Sequence, residues 1–119
     1  MASVSLYTDA ALSCVEPVGG IRYRLTQLIV WQIGHPDGPV YTVPPGFTFD
    51  VSVPWFARWL FDPRERRYLK AAALHDHMLV AGWDPITAAA EFHGALRADG
   101  VPAWRRIIML TAVVLWRYR

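Results

Sequence analysis

A chain of 119 residues has room for one hydrophobic core, and at 54% hydrophobic and 18% charged it is too apolar to be a disordered segment. The net charge of +2 is small, so charge alone favours solvated helix faces over a nucleic-acid footprint for its basic clusters, Arg64, Arg66, Arg67 and Lys70, then Arg105, Arg106, Arg117 and Arg119. The lone cysteine, Cys14, excludes an internal disulfide and a cysteine-rich metal cluster. No basic stretch followed by an apolar run opens the chain, so the expected location is a reducing cytoplasm or a particle assembled there.

In chain order, residues 3–7 read as an edge strand. Ile21 to Leu25 alternates apolar and basic side chains with the period of a half-buried strand. Leu28 to Ile33 is more continuously apolar, with Gln32 its one polar residue, and predicts a strand covered on both sides. His35-Pro36-Asp37-Gly38 is a turn signal, and Pro39 to Val43 returns as the antiparallel partner strand. Pro44-Pro45-Gly46 ends that strand, and Phe47 to Pro54 leaves the sheet as an extended segment. Ser52 stands where it can cap a short helix over 55–61. Asp62-Pro63 opens a longer helix that Gly82 stops near Val80, and Asp84-Pro85 opens a second that closes at Gly100. Pro102 opens the last helix, which runs close to the C-terminus. Its apolar run, Ile107 to Trp116, is about half a bilayer-spanning length and is expected to be interior, with Arg105, Arg106 and Arg117 as solvent-facing ends. The expected fold is one α+β domain over 1–119, a small antiparallel hairpin sheet packed against one short and three longer helices, with no membrane span. Six Trp, five Tyr and five Phe are many for this length and hint at a partner surface.

The polar residues that stand out fall where the pattern predicts interior. Asp50 and Ser52 lie in an aromatic and aliphatic stretch, and His75-Asp76 follows Ala71-Ala72-Ala73-Leu74 inside a helix whose Tyr68, Ala72, His75 and Leu79 share a face. One reading joins Asp50, His75 and Asp76 as ligands of a divalent metal ion, or as an Asp-oriented His base. The other has His75 bonding Asp50 or a backbone carbonyl to lock helix onto segment. A His-Asp dipeptide is a weak motif, and the further His and Asp that phosphohydrolases of that name require cannot be placed here. His77 points away from His75, and His93 belongs to the next helix. Ser52 is the one nucleophile near a His and two carboxylates, with helix capping as its other role. Phosphate-loop and nucleophile-elbow spacings are missing.

Val43-Pro44-Pro45-Gly46-Phe47, Phe49-Asp50-x-Ser52-Val53-Pro54, Ala72-Ala73-Leu74-His75-Asp76, Ala88 to Phe92 and Ala95-Leu96 together resemble, over roughly residues 20–115, the small phage and prophage family catalogued as domain of unknown function 1353. The resemblance implies phage or prophage origin, among late genes for particle assembly or lysis, and no established activity. Asp50, Ser52, His75 and Asp76 match its polar positions. Phe49 replaces the family's Thr, His77 its aromatic, Leu79 its usual Tyr, and Ala89 the Asp of an Ala-Asp pair, so one carboxylate is missing.

Two functions follow as expectations. The first is an accessory or structural protein of the phage, in the host cytoplasm or the assembled particle, with other phage or host proteins as partners and nucleic acid only weakly supported. The alternative is a small metal-dependent or His/Asp-based hydrolase using Asp50, His75 and Asp76.

Overall fold

The computed structural model describes residues 15–20, 22–34, 37–50 and 66–118, and the side chains of these except 66, 67 and 116–118. The strands are β1 (Val15–Gly19), β2 (Arg22–Leu25), β3 (Ile29–Gln32), β4 (Val40–Val43) and β5 (Thr48–Asp50), and the helices are α1 (Arg66–Val80), α2 (Pro85–Ala98) and α3 (Ala103–Tyr118). The α+β arrangement is the expected one. The strand at 3–7, the short helix over 55–61, Ser52 and the Asp62-Pro63 helix start lie outside the described residues.

Among the described residues two small antiparallel sheets form instead of one. The hairpin of β3 and β4 pairs Ile29 with Val43 and Gln32 with Val40, close to the predicted bounds. It is not covered on both sides, however. Ile29 and Trp31 turn inward, while Leu28 is 46% exposed and Val30 half-buried, so a mostly apolar run conceals an ordinary two-faced strand.

The second sheet has the order β1-β2-β5. Thr48–Asp50 therefore does not leave the sheet. It pairs with β2 in the register Arg22 to Asp50, and the bonds Leu25 N to Phe47 O (2.9 Å) and Gly46 N to Leu25 O (2.8 Å) extend the contact into the preceding turn. β1, which no apolar alternation announces, tolerates Pro17 because it is an edge strand. Leu25 and Phe49 face the core. On the wet face Arg24 pairs with Glu16 (2.6 Å) and Arg22 with Asp50 (3.3 Å).

α1 lies centrally, touching β1, β4, β5 and α2. Its deepest side chains are Ala71, Leu74 and Met78, all 0% exposed, with Tyr68, Leu69 and Ala73 beside them. The expected stripe of Ala72, His75 and Leu79 is the half-buried flank of that face. α1 and α2 end alike. Gly82 (φ 93°) and Gly100 (φ 80°) take the left-handed conformation, and bonds from Trp83 N to Met78 O (2.9 Å) and from Val101 N to Leu96 O (3.0 Å) close each last turn.

Lys70, grouped above with the solvated basic residues, is fully buried, and its Nζ meets Asp99 Oδ1 at 2.9 Å. The pair ties the first half of α1 to the C-terminal cap of α2.

The last helix departs most from expectation. α3 packs on α2, and of its described side chains only Met109 is fully buried, with Val113 against the core. Trp104, Ile107, Ile108 and Leu115 are 55%, 54%, 39% and 64% exposed, whereas Arg105 and Arg106 are half-buried. The helix is therefore peripheral, apolar on its outer side, and Arg105 and Arg106 do not form the expected solvent-facing end, while the Arg117 side chain lies outside the described residues. No helix among the described residues is long and apolar enough to cross a membrane.

Two outcomes follow. Removing the Asp99 carboxylate by Asp99→Ala leaves the Lys70 ammonium buried without its anion and is expected to cost about 3–5 kcal/mol in urea unfolding, while Lys70→Met combined with Asp99→Leu recovers much of that loss. Met109→Asp is expected to destabilise by more than about 3 kcal/mol, and Leu110→Asp, at a half-buried position, by clearly less.

Candidate functional site

Asp50 alternates with the inward Phe49 and so points to the wet face of β5, where its partner is Arg22 rather than His75. His75 is half-buried on α1 with its ring 5.6 Å from that of Phe92 on α2, and neither it nor Asp76 is free. Ser52 is outside the described residues. Among the described residues no three His, Cys, Asp or Glu side chains gather where a metal ion would need them, so Asp50, His75 and Asp76 are not brought together as one set.

His77, two residues on, faces the strands. Its Nδ1 is hydrogen-bonded to the Tyr41 hydroxyl at 2.6 Å, and its ring meets Phe47 edge-on at 4.9 Å. Phe47 stacks with Phe49, Phe49 with Tyr23, and Tyr41 meets Trp83, so rings run in contact from β2 to the end of α1. Burial lowers the His77 pKa and raises that of Tyr41. Both groups are thus neutral near pH 7, and among the described residues the imidazole's hydrogen-bond partner is Tyr41, not a carboxylate. This arrangement holds α1 to the hairpin and lacks the third group that general-base chemistry needs.

On α2, Glu91 is a buried carboxylate that sequence reading passed over inside its apolar motif. Oε2 accepts from Trp31 Nε1 (3.0 Å) and Oε1 from the Gly34 backbone N–H (2.8 Å). One turn on, a Cβ at Gly94 would stand 3.2 Å from the Trp31 ring. The signal was present: an acidic residue between Ala88-Ala89-Ala90 and Phe92 must find donors, and a mid-helix glycine needs a packing reason.

α3 is joined to α2 through His93, whose Nε2 accepts from Arg106 Nε (3.2 Å), while Arg106 also donates to Val101 O (3.0 Å). Burial, then Arg106 and Arg97, lower the His93 pKa. The outer side of α3 is different in kind. Trp104, Ile107, Ile108, Thr111 and Leu115 recur at i, i+3, i+4, i+7 and i+11, which places them in one row. Thr111 Oγ1 donates to Ile107 O (2.9 Å), so even the row's one hydroxyl is satisfied inside the helix.

The described chain is thus an α+β domain with two small sheets, a three-helix layer and an open apolar helix face. The model of the family described as Protein of unknown function (DUF1353) matches residues 26–113, and the chain belongs to that family. No curated protein and no solved structure matches it.

His77 and His93 give the fold a pH dependence of definite sign. Both have folded-state values below the ordinary 6.5, so the unfolded chain binds protons more tightly, and stability is complete above that value and lost as pH falls through it. The melting temperature is expected to hold level at neutral pH and to fall progressively below about pH 6.5, with a shallower fall in His93→Gln, where no cation can form beside Arg106 and Arg97.

Proposed function

We propose that this protein is an accessory or structural component encoded by a phage or prophage, serving particle assembly or lysis through protein–protein contact in the host cytoplasm or the assembled particle. One observation carries the contact reading, the open row of Trp104, Ile107, Ile108 and Leu115. Large contiguous apolar patches on a folded domain mark interaction sites, and an aromatic at one end of such a row is a typical anchor. The phage context comes from the family resemblance. The hydrolase alternative, which joins Asp50, His75 and Asp76, draws no support from the described residues, where Asp50 is paired with Arg22 and no such set of three gathers.

The test is to tag the chain in its own host and fractionate induced particles and late-protein assemblies. The tagged chain is expected in one of those fractions at fixed stoichiometry, and Ile107→Glu with Ile108→Glu should remove it without lowering the melting temperature of the purified protein. Absence from both fractions, or hydrolysis of cell wall or phosphoester by purified protein that His75→Ala abolishes, would replace this reading.

A further inference from the structure

The helices past Gly82 carry three carboxylates, and each is committed within the fold. Asp84 Oδ2 accepts from Ile86 N and Thr87 N at 3.1 Å, capping α2. Glu91 holds Trp31 and Gly34, and Asp99 holds Lys70. α3 itself contains no acidic residue.

The cations there are not all committed. Arg106 is held by its bonds to His93 and Val101 O, but Arg105 lies with its guanidinium carbon 5.4 Å from the centre of the Trp104 ring. Among the described residues Arg105 Nε is buried without a hydrogen-bond partner. A guanidinium held against the aromatic that begins an open apolar row, with its Nε unpaired, sets an uncompensated positive charge at the edge of that row.

We infer that the outer face of α3 docks an apolar helix of another protein whose flank carries Asp or Glu, with one such carboxylate received by Arg105 beside Trp104. This rests on the protein-contact reading above and names the partner's chemistry. The row from Trp104 to Leu115 spans about 16 Å at ~1.5 Å per residue, three helical turns, and fits a partner helix bearing residues at i, i+3, i+4 and i+7. A second copy fits poorly, since an α3–α3 pair has no carboxylate to offer and would bury Arg105 uncompensated. An anionic bilayer also fits poorly. A helix lying in a lipid interface presents its cations along the water-facing side, and here Arg106 is turned inward and bonded.

Two synthetic amphipathic peptides test this on the full chain by fluorescence anisotropy. They share one Leu/Ile stripe, flanked by Glu in the first and by Lys in the second. The Glu-flanked peptide is expected to bind at least roughly tenfold more tightly, the preference shrinking as salt rises. Arg105→Gln should weaken that binding roughly tenfold with unchanged melting temperature, Arg105→Lys should restore part of it, and Ile108→Glu should abolish it. Equal binding of the two peptides, or binding of neither, would overturn the inference. So would a homodimer in sedimentation that Ile108→Glu dissociates, or binding to phosphatidylglycerol vesicles that the same variant loses. If the peptides fail while the tagged chain still enters particles, the partner chemistry falls and the assembly reading stands.

Discussion

Trp31 leaves the hairpin and lays its ring on the backbone of α2 at Gly94, while its indole N–H reaches the Glu91 carboxylate one turn earlier. The same carboxylate takes the Gly34 N–H just past the end of β3. Two donors from the hairpin thus converge on one buried acceptor of the helical layer, and the hairpin has one position in which both bonds form. Hydrogen bonds to an ionised group contribute roughly 1.5–3 kcal/mol each, and a buried carboxylate deprived of them would be strongly unfavourable. Gly94 belongs to the same device. A glycine costs a helix about 1 kcal/mol against alanine, and burying an indole, at roughly 150–250 Å² of surface, more than offsets it.

With the hairpin fixed to α2, α1 is enclosed. It touches α2 on one side and β1, β4 and β5 on the other, which is why so many of its small side chains, Ala71 and Ala73 among them, are completely buried. The Lys70–Asp99 pair and the Tyr41–His77 bond then act near opposite ends of α1, one toward the cap of α2 and one toward the hairpin. α3 has no comparable enclosure. Its described polar ties to the rest are the two bonds of Arg106, and its apolar anchor is Met109.

What could be read in the sequence was the part governed by local chemistry. Asp84-Pro85, Gly82, Gly100 and the segments around Asp37-Gly38 set element ends through backbone restrictions that act within a few residues, and those ends stand where expected. What could not be read depends on distant partners. β1 and β5 are strands because β2 lies between them, and neither Val15–Gly19 nor Thr48–Asp50 carries enough alternation to show it. Lys70 looked like one more charge in a basic run, but its ion pair with Asp99, nearly thirty residues on, belongs to the core. Asp50 was misplaced for the reverse reason: aromatic neighbours suggested interior, but strand alternation and Arg22 send it outward. The side of α3 that faces α2 was equally hidden, since a helix apolar nearly all round has no pattern to orient it.

Ala89 bears on how far the family's polar positions can serve this member. It is 2% exposed, between the buried Ala88 and the buried Glu91. A carboxylate at such a position needs its own donors or a cation, as Glu91 needs Trp31 and Gly34 and Asp99 needs Lys70. α2 and its C-terminal cap already place two carboxylates in this way, the buried Glu91 and the half-buried Asp99, each with its partners supplied by another element. An alanine at 89 removes the need for a third set and lets the helix close against its neighbours with a methyl group. Glu91 within α2 and Asp99 at its C-terminal cap are then both engaged in holding elements together, and the apolar row on α3 stays exposed.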